Sequence, residues 1–212
     1  MSILKLETMK ILGIGKNYVN DKSVIDAIKD GNQLIFSKPE STLVTGNKDV
    51  VYPKITKNIV YEVELVAKIG KQGKDIPIEE ANSYISEIAV GIDFTAKDVL
   101  TKSREGKGPW ALAKGFDGAS PISSFIPIAN FPELDNINFD LVINGEQKQV
   151  GNTSLMIYSF SEVISFLSSF MTLKEGDLIF TGTPASGVGE IFRGDHLQAS
   201  IEGKLLLDFK MI

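Results

Sequence analysis

Two glutamates in an extended segment are the first residues in this sequence whose types and spacing could do chemistry. Glu62 and Glu64 lie within residues 58–69, whose β-branched content predicts a β-strand. Because side chains alternate between the two faces of a strand, both carboxylates point to one side, about 7 Å apart along the chain. On a partly apolar face they repel each other unless a cation lies between them. The pair is therefore either a divalent-metal site or an ordinary solvent-facing strand edge.

Asp93 is the candidate for a third carboxylate. It follows the short apolar run 88–92, which is typical of a buried strand. Ligand-binding groups tend to collect at the ends of such strands, where a rigid scaffold gives way to a loop. The alternative is that Asp93 only caps the turn into the next helix.

The elements that must position these carboxylates are many short strands and a few helices. One face of the carboxylate strand is continuously apolar and predicts a core; it consists of Ile59, Tyr61, Val63, Leu65, Ala67 and Ile69. Further strands are predicted at 9–15, 34–39, 138–143 and 178–180, helices at 21–31, 75–88 and 160–171, a polar loop at 101–109, and hairpin turns at 144–145 and 202–203. This pattern, without strict strand–helix alternation, predicts an α+β domain dominated by mixed sheet. The 212 residues predict a single domain, residues 1–212.

Composition excludes several function classes. The formal net charge of -5 argues against a nucleic-acid-binding surface. The chain has no cysteine and one histidine, so disulfides, thiolate zinc sites and mechanisms with two imidazoles are excluded. No apolar run approaches the about 18–20 residues of a membrane span, and we see no export signal. We therefore predict a cytoplasmic protein with neither nucleic acid nor membrane as a partner.

An ordered set of five short motifs resembles the fumarylacetoacetate hydrolase family, in particular its small acylpyruvase and oxaloacetate decarboxylase-like members. The resemblance covers roughly residues 9–209, and the set of motifs is highly specific as an ordered whole. Its members are Glu62-Val63-Glu64, residues 91–98 from Gly91 to Asp98, Lys114-Gly115-Phe116-Asp117, residues 151–157 from Gly151 to Ile157, and residues 176–184 from Gly176 to Pro184.

The resemblance implies a mixed-sheet β-roll core with a few peripheral helices, assembled as a homodimer or a higher oligomer. It also implies that Glu62, Glu64 and Asp93 hold Mg²⁺ or Mn²⁺. The residue types agree with this, because three carboxylates with open positions for water or substrate suit a hard cation.

The same resemblance implies a small enolisable 2-oxo acid as substrate, with the metal stabilising an enolate as a Lewis acid. Lys114 would supply a positive charge or a proton to the developing enolate. Gly182 and Thr183 would bind the substrate carboxylate, and Lys97 stands where the family usually has a substrate-binding arginine. The alternative for Lys114 is a surface lysine, although its neighbours, residues 110–113 and Phe116, are unusually apolar, and the alternative for residues 181–183 is a plain turn.

The chain departs from the family at the segment that activates water. Family hydrolases carry a His and a Glu three residues apart in a mobile lid, which corresponds to residues 16–31 here. Those positions hold Asp21 and Val24, and Leu100 replaces a glutamine of the acylpyruvase members. The one histidine, His196, lies near the C-terminus and is predicted to be a surface residue.

Three hypotheses follow from an intact metal site without the water-activating pair. The first is an enzyme that decarboxylates or isomerises a 2-oxo acid through a metal-bound enolate. The second is C–C bond hydrolysis of an acylpyruvate, with Asp21 standing in as the base. The third is a metal-dependent binder of 2-oxo acids without turnover.

Overall fold

Fifteen β-strands run through residues 9–212, the part of the chain that this computed structural model describes. They are β1 (Ile11–Gly15), β2 (Leu34–Lys38), β3 (Leu43–Val44), β4 (Ile59–Tyr61), β5 (Val63–Ile69), β6 (Ile85–Ile92), β7 (Thr95–Ala96), β8 (Ser120–Pro121), β9 (Ile126–Pro127), β10 (Asn138–Ile143), β11 (Glu146–Asn152), β12 (Leu178–Phe180), β13 (Gly189–Ile191), β14 (His196–Ile201) and β15 (Lys204–Lys210). The α-helices are α1 (Ile25–Ile28), α2 (Ile78–Ala81), α3 (Lys97–Glu105), α4 (Ala111–Lys114) and α5 (Phe160–Phe170). The predicted α+β class with mixed sheet is confirmed.

A six-stranded mixed sheet forms the centre, with the strand order β2-β1-β12-β5-β6-β9. Strands β1 and β12 are parallel, and the other neighbours in this sheet are antiparallel. A four-stranded antiparallel sheet, β11-β10-β14-β15, shares one continuous hydrophobic core with it. The core therefore lies between two sheets, as expected when each sheet has one apolar face.

The apolar face predicted for residues 58–69 is confirmed. Its six side chains, from Ile59 to Ile69, all belong to the main core cluster and are nearly inaccessible to solvent. The segment is nevertheless two strands and not one, because the ladder is interrupted at Glu62. Strand β4 pairs with β7 and β13 in a three-stranded sheet, whereas β5 enters the central sheet. Glu62 thus lies where the chain passes from one sheet to the other.

Two predicted boundaries were wrong. The helix predicted at 75–88 ends early: α2 is followed by a 3-10 turn, Asn82–Tyr84, and then by β6, so Ile85 and Ile88 pack from a strand. Their spacing fits a helical stripe, but pairing with β5 decides their conformation, since tertiary context overrides local preference. The polar loop predicted at 101–109 is helical as far as Glu105, because α3 extends into it.

Other predicted elements are confirmed. Helix α5 has the predicted capping box between Ser159 and Glu162, and both predicted hairpin turns form, at Asn144-Gly145 and Glu202-Gly203. All four turn residues have positive φ, the backbone that two-residue hairpins require. The helix predicted at 21–31 is shorter, with a 3-10 turn at Lys22–Val24 that leads into α1.

Within residues 9–212, none of the helices is both long and apolar enough to cross a membrane. The prediction that the chain has no export signal concerns its first residues, and residues 1–8 lie outside the described part.

Candidate metal centre

Strand register brings the three predicted carboxylates together. Val63 in β5 pairs with Ile92 in β6, so Glu62 and Asp93, the residues next to this pair, are opposite each other. The N–H of Asp93 donates to the carbonyl oxygen of Glu62 at 2.8 Å. One carboxylate oxygen from each of Glu62, Glu64 and Asp93 lies within 4.8 Å of the others. Three carboxylates, one within β5 and two next to the paired ends of β5 and β6, therefore converge on one point.

Two lysine ammonium groups lie among these carboxylates. Lys114, at the end of α4, donates to Glu62 Oε2 at 2.6 Å and to the carboxylate of Asp93. Lys38, at the end of β2, donates to Asp93 Oδ1 at 2.5 Å and to the carbonyl oxygen of Ala119 at 2.7 Å. Asp93 is thus held by one ammonium group on each of its oxygens.

Burial and neighbouring charge shift the protonation equilibria in this cluster. Burial raises the pKa of Glu62, and it raises that of Glu64 well above its ordinary value, with the charge of Asp93 adding to the effect. Burial also acts to raise the pKa of Asp93, but the ammonium groups of Lys114 and Lys38 outweigh it and hold that pKa below its usual range. Burial lowers the pKa of Lys38, whereas Asp93 and Glu62 overcome burial at Lys114 and raise its pKa.

The cluster has the chemistry of a site for a hard divalent cation. Its donors are carboxylate oxygens, the ligand type that Mg²⁺ and Mn²⁺ prefer. When they are ionised, three carboxylates against two ammonium groups leave one negative charge in a buried place. A divalent cation would more than offset that charge and would favour the ionised form of the buried glutamates.

The carboxylates line a cavity of about 280 Å³, and the segment that follows β12 contributes residues 183–185 to its wall. Gly182 has φ of +98°, and a Cβ there would lie 2.8 Å from the Cβ of Asn17, so only glycine fits. Its N–H donates to Glu64 Oε2 at 2.8 Å. Thr183 lines the cavity, and its hydroxyl accepts a hydrogen bond from Gln149 Nε2 at 2.9 Å. This turn therefore orients a metal-site carboxylate and presents a hydroxyl to the cavity.

A sequence-family comparison matches residues 10–209 of this chain to the family described as "Fumarylacetoacetate (FAA) hydrolase C-terminal". The chain belongs to this family. The fold expected from the resemblance is confirmed. Solved structures of a putative fumarylpyruvate hydrolase from Burkholderia cenocepacia and of a putative fumarylacetoacetate hydrolase family protein from Yersinia pestis CO92 match this chain with TM-scores of 0.88 and 0.87, at 31% and 34% identity.

Individual family members resemble this chain over nearly its whole length. It is 36% identical over 201 residues to the mitochondrial oxaloacetate tautomerase FAHD1 of Bos taurus, covering 95% of this chain and 90% of the relative. It is 36% identical to the mitochondrial oxaloacetate decarboxylase of Dictyostelium discoideum, with 92% and 89% covered. The crystal structure of fumarylpyruvate hydrolase from Pseudomonas aeruginosa in complex with Mn²⁺ and pyruvate is 33% identical, with a TM-score of 0.86 and 97% and 91% covered.

Two residues proposed from the fumarylacetoacetate hydrolase resemblance lie outside the cavity wall. Lys97 begins α3 and is exposed to solvent, and it is not among the residues that line the cavity. Asp21 is exposed and accepts a hydrogen bond from the N–H of Ser23, which caps the 3-10 turn of the lid segment 16–31. Leu100, in the position of the family glutamine, does line the cavity and makes its wall apolar there.

His196 lies on β14, away from the cavity. Its Nε2 contacts Asp208 Oδ1 at 2.6 Å across the β14–β15 hairpin, with both side chains more than a third exposed. The prediction of a surface histidine is therefore confirmed.

Sequence reasoning missed four residues that the structure places at or beside the centre. Lys38 had a detectable signal, since it alternates with Phe36 on the buried face of β2. Arg104 and Tyr18 line the cavity, and the hydroxyl of Tyr18 is buried with no hydrogen-bond partner among the described residues. Gln149 connects two segments. Its Nε2 donates to the hydroxyl of Thr183, and its Oε1 accepts a hydrogen bond from the backbone N–H of Val63 at 2.9 Å. The roles of Arg104, Tyr18 and Gln149 depend on contacts between distant segments, so no local pattern reveals those three.

A larger groove of about 650 Å³ lies elsewhere, between the lid segment and residues 128–135. Its charged lining residues, such as Lys29 and Glu133, come from the surface, and the three-carboxylate cluster is not part of it. The smaller cavity is therefore the better candidate for catalysis.

Proposed function

We propose that this protein is a divalent-metal-dependent enzyme that decarboxylates or tautomerises small enolisable 2-oxo acids. One observation carries the proposal: Glu62, Glu64 and Asp93 converge with Lys114 at one end of a cavity of about 280 Å³. The relatives named oxaloacetate tautomerase and oxaloacetate decarboxylase, each 36% identical, support the substrate class.

A Mg²⁺ or Mn²⁺ ion held by Glu62, Glu64 and Asp93 would supply Lewis-acid polarisation of the 2-oxo group. Lys114 would donate a hydrogen bond to the oxygen on which enolate charge develops, and burial makes this interaction stronger than it would be in water. Thr183 and the adjoining backbone would bind the substrate carboxylate, with Gln149 holding the hydroxyl of Thr183 in place. We retain Lys97 as a substrate-binding candidate only if α3 moves on ligand binding, because its side chain lies outside the cavity in this structure.

A second candidate is C–C hydrolysis of an acylpyruvate, with Asp21 as the base. The 33% identity to the fumarylpyruvate hydrolase favours it. The position of Asp21 disfavours it, because its carboxylate is exposed and occupied in capping the turn at Ser23. Hydrogen bonds from Ser23 also lower the pKa of Asp21, which makes it a weaker base. A metal-dependent binder without turnover is the third candidate, favoured by the absence of the His and Glu pair and by Leu100 in the place of the family glutamine.

The identity of the metal, the oligomeric state and the location in the cell are further parts of the same proposal. The Mn²⁺ in the fumarylpyruvate hydrolase structure supports manganese, and the oxygen donors suit magnesium equally. We propose a homodimer from the family resemblance, to be measured by sedimentation. We propose the cytoplasm from the composition, although the named tautomerase and decarboxylase relatives are mitochondrial.

The decisive experiment adds the protein, with Mn²⁺, to oxaloacetate and then to an acylpyruvate while enol absorbance is recorded. We expect metal-dependent loss or interconversion of oxaloacetate and slow or absent acylpyruvate hydrolysis. Tight binding of both acids without turnover would contradict the proposed enzyme and favour a metal-dependent binder of 2-oxo acids.

Two variants test the assignments within the site. Glu64→Ala should abolish Mn²⁺ binding and leave the fold intact, because removing one of three clustered negative charges relieves repulsion.

Lys114→Ala should lower kcat by roughly 10²–10³, the range for loss of one charge-stabilising donor, and should barely change metal affinity. Undiminished Mn²⁺ binding by Glu64→Ala, or an unaltered rate with Lys114→Ala, would remove the respective residue from the proposal.

A further inference from the structure

The charges that line the cavity are separated along its length. The three carboxylates and Lys114 are buried or half-buried at the inner end. The other charged lining residues are Lys16 and Arg104, and both are exposed, at the open end. An inner end that suits a cation and an outer end that is positive would suit a ligand with two separated anionic groups. One group would bind at the metal and the other at the rim.

Arg104 has no anionic partner within the protein. None of the ion pairs among residues 9–212 includes it. Its guanidinium carbon instead lies 4.7 Å from the centroid of the Trp110 ring. A guanidinium held over an aromatic ring makes no hydrogen bond to it through an acceptor atom, so its N–H groups remain available to a carboxylate. The charge of Arg104 is therefore positioned and available.

A chain of contacts connects Arg104 to the catalytic end. The Trp110 ring packs against Phe36, with ring centroids 6.0 Å apart. On the other side, the ammonium of Lys114 lies 4.7 Å from the Phe36 centroid. These rings separate the two cations and fix Arg104 relative to Lys114. Ring stacking of this kind restricts the long arginine side chain and so reduces the entropy cost of binding an anion.

The wall between the two ends is apolar. Leu100 precedes Arg104 by one helical turn on α3, and both side chains line the cavity. Ile14 and Val188 also contribute to this lining. A water molecule occupies about 30 Å³ in the liquid, so the cavity of about 280 Å³ has room for about nine non-hydrogen atoms. This is the size of a four- or five-carbon acid with two carboxylates.

We infer that Arg104 is a specificity-determining residue that binds the second, distal carboxylate of a 2-oxo dicarboxylate substrate. This inference rests on the proposed function, since the 2-oxo acid end must be held at the metal centre. The fork of the guanidinium matches the two oxygens of a carboxylate, and Lys16 adds a second positive charge at the rim. A 2-oxo acid without the distal carboxylate leaves both cations unsatisfied and binds more weakly.

Two stable probes isolate the distal carboxylate. 2-Oxopentanedioate and 2-oxopentanoate share the 2-oxo acid end and the number of carbons, and differ only in the group at the far end. Calorimetric titration of the Mg²⁺-loaded protein with each would give their affinities. The chain has one tryptophan, Trp110, so its emission reports independently on binding beside Arg104.

Arg104→Gln is the test variant, and Lys102→Gln is the matched control. Lys102 is exposed on the same helix and is absent from the cavity wall, so its substitution removes the same charge without touching the proposed contact. The parent and Lys102→Gln should bind the dicarboxylate about tenfold more tightly than the monocarboxylate, as expected for a hydrogen-bonded charged pair. Arg104→Gln should lose that preference by weakening dicarboxylate binding alone, and the Trp110 emission change should diminish with it. Its melting temperature should match that of the control.

Turnover gives a second readout. For oxaloacetate, Arg104→Gln should raise KM with little change in kcat, because the distal contact is equally present in the ground and transition states. Arg104→Lys should restore part of the preference. Equal affinity of the parent for both probes, or a preference that survives Arg104→Gln, would overturn the role of Arg104 and leave the proposed function standing. Failure of the parent to bind either probe would overturn both.

Discussion

The buried pair of Lys38 and Asp93 shows at the residue scale how the centre is held in place. Both side chains are fully shielded from solvent, and Lys38 also satisfies the carbonyl oxygen of Ala119. A buried pair of this kind adds little net stability over apolar residues, but its rupture leaves a charge without compensation. We infer that Lys38 acts mainly by fixing the orientation of Asp93.

Lys38→Met should lower the free energy of unfolding by about 3–5 kcal/mol, because it leaves Asp93 and a carbonyl oxygen buried without one partner. The loss should fall at the lower end of that range, because Lys114 still contacts Asp93. Urea unfolding of the metal-free protein measures it. Lys68→Met is the control, since its pair with Glu87 is about one-third exposed and should contribute no more than about 1 kcal/mol. Equal losses in the two variants would contradict this account of Lys38.

The buried carboxyl group of Glu64 should make the free energy of unfolding depend on pH. Burial raises its pKa well above the ordinary value in the folded state. Its stabilising contribution is then fully present below the unfolded-state pKa and is lost as the pH rises through the folded-state value. Glu64→Gln removes this titration and keeps an acceptor for the N–H of Gly182.

In chelator, Glu64→Gln and the parent should therefore unfold with similar free energies near pH 4, and the variant should be the more stable near pH 8. Denaturant titrations at the two pH values measure the difference. If the free energy of unfolding of the parent instead rose above that of the variant as the pH rises, ionisation of Glu64 would not destabilise the folded state.

At the scale of elements, α5 is the helix whose boundaries follow from local chemistry. The N–H of Glu162 donates to Ser159 Oγ at 3.4 Å, and Glu162 Oε2 accepts the N–H of Ser159 at 2.9 Å. Both partners lie within one turn, so the capping box was predictable without tertiary information. Lys29 of the lid segment pairs with Glu162 at 2.5 Å, so the same cap also connects the lid to the body.

Ser159→Ala should cost about 1 kcal/mol of stability, the usual loss for removal of an N-cap side chain. Thermal unfolding compared with Ser169→Ala gives the test, because Ser169 is exposed near the other end of α5 and caps nothing at its start. Equal melting temperatures for the two variants would show that this capping box does not stabilise the helix.

For the whole molecule, the proposed choice between decarboxylation and hydrolysis rests on residues 16–31, the segment that corresponds to the lid of the family hydrolases. Asn17 anchors the start of that segment, since its amide donates to the carbonyl oxygens of Tyr158 and Thr181 at 3.0 Å each. Beyond it, Asp21 and Val24 are exposed. Neither Asp21 nor Val24 is among the residues that line the cavity beside the three carboxylates.

Introducing the family pair, Asp21→His together with Val24→Glu, should raise kcat/KM for acylpyruvate hydrolysis by up to about 10²–10⁴, the contribution of a positioned base. Oxaloacetate turnover should change little, because it depends on the metal and Lys114. Assays of both substrates in the parent, the two single variants and the double variant measure the effect. Efficient acylpyruvate hydrolysis by the parent would show that the missing pair does not decide the chemistry.

The sequence by itself determined the local features of this protein. The two-residue alternation around Glu62 and Glu64 predicted which side chains enter the core, because a strand has only two faces. Capping and turn residues predicted α5 and both hairpins, since their partners lie within a few residues. The ordered motifs also indicated the family, and with it the candidate ligands.

Only the tertiary structure decided which distant residues meet at the centre. Pairing of β5 with β6 places Asp93 opposite Glu62, and pairing of β1, β2 and β12 brings Lys38 and Gly182 to the same point. The pairing of β5 with β6 also decides that Ile85 and Ile88 belong to a strand and not to a helix. Such contacts arise from register between segments tens of residues apart, and register is a property of the assembled sheet rather than of any short stretch of sequence.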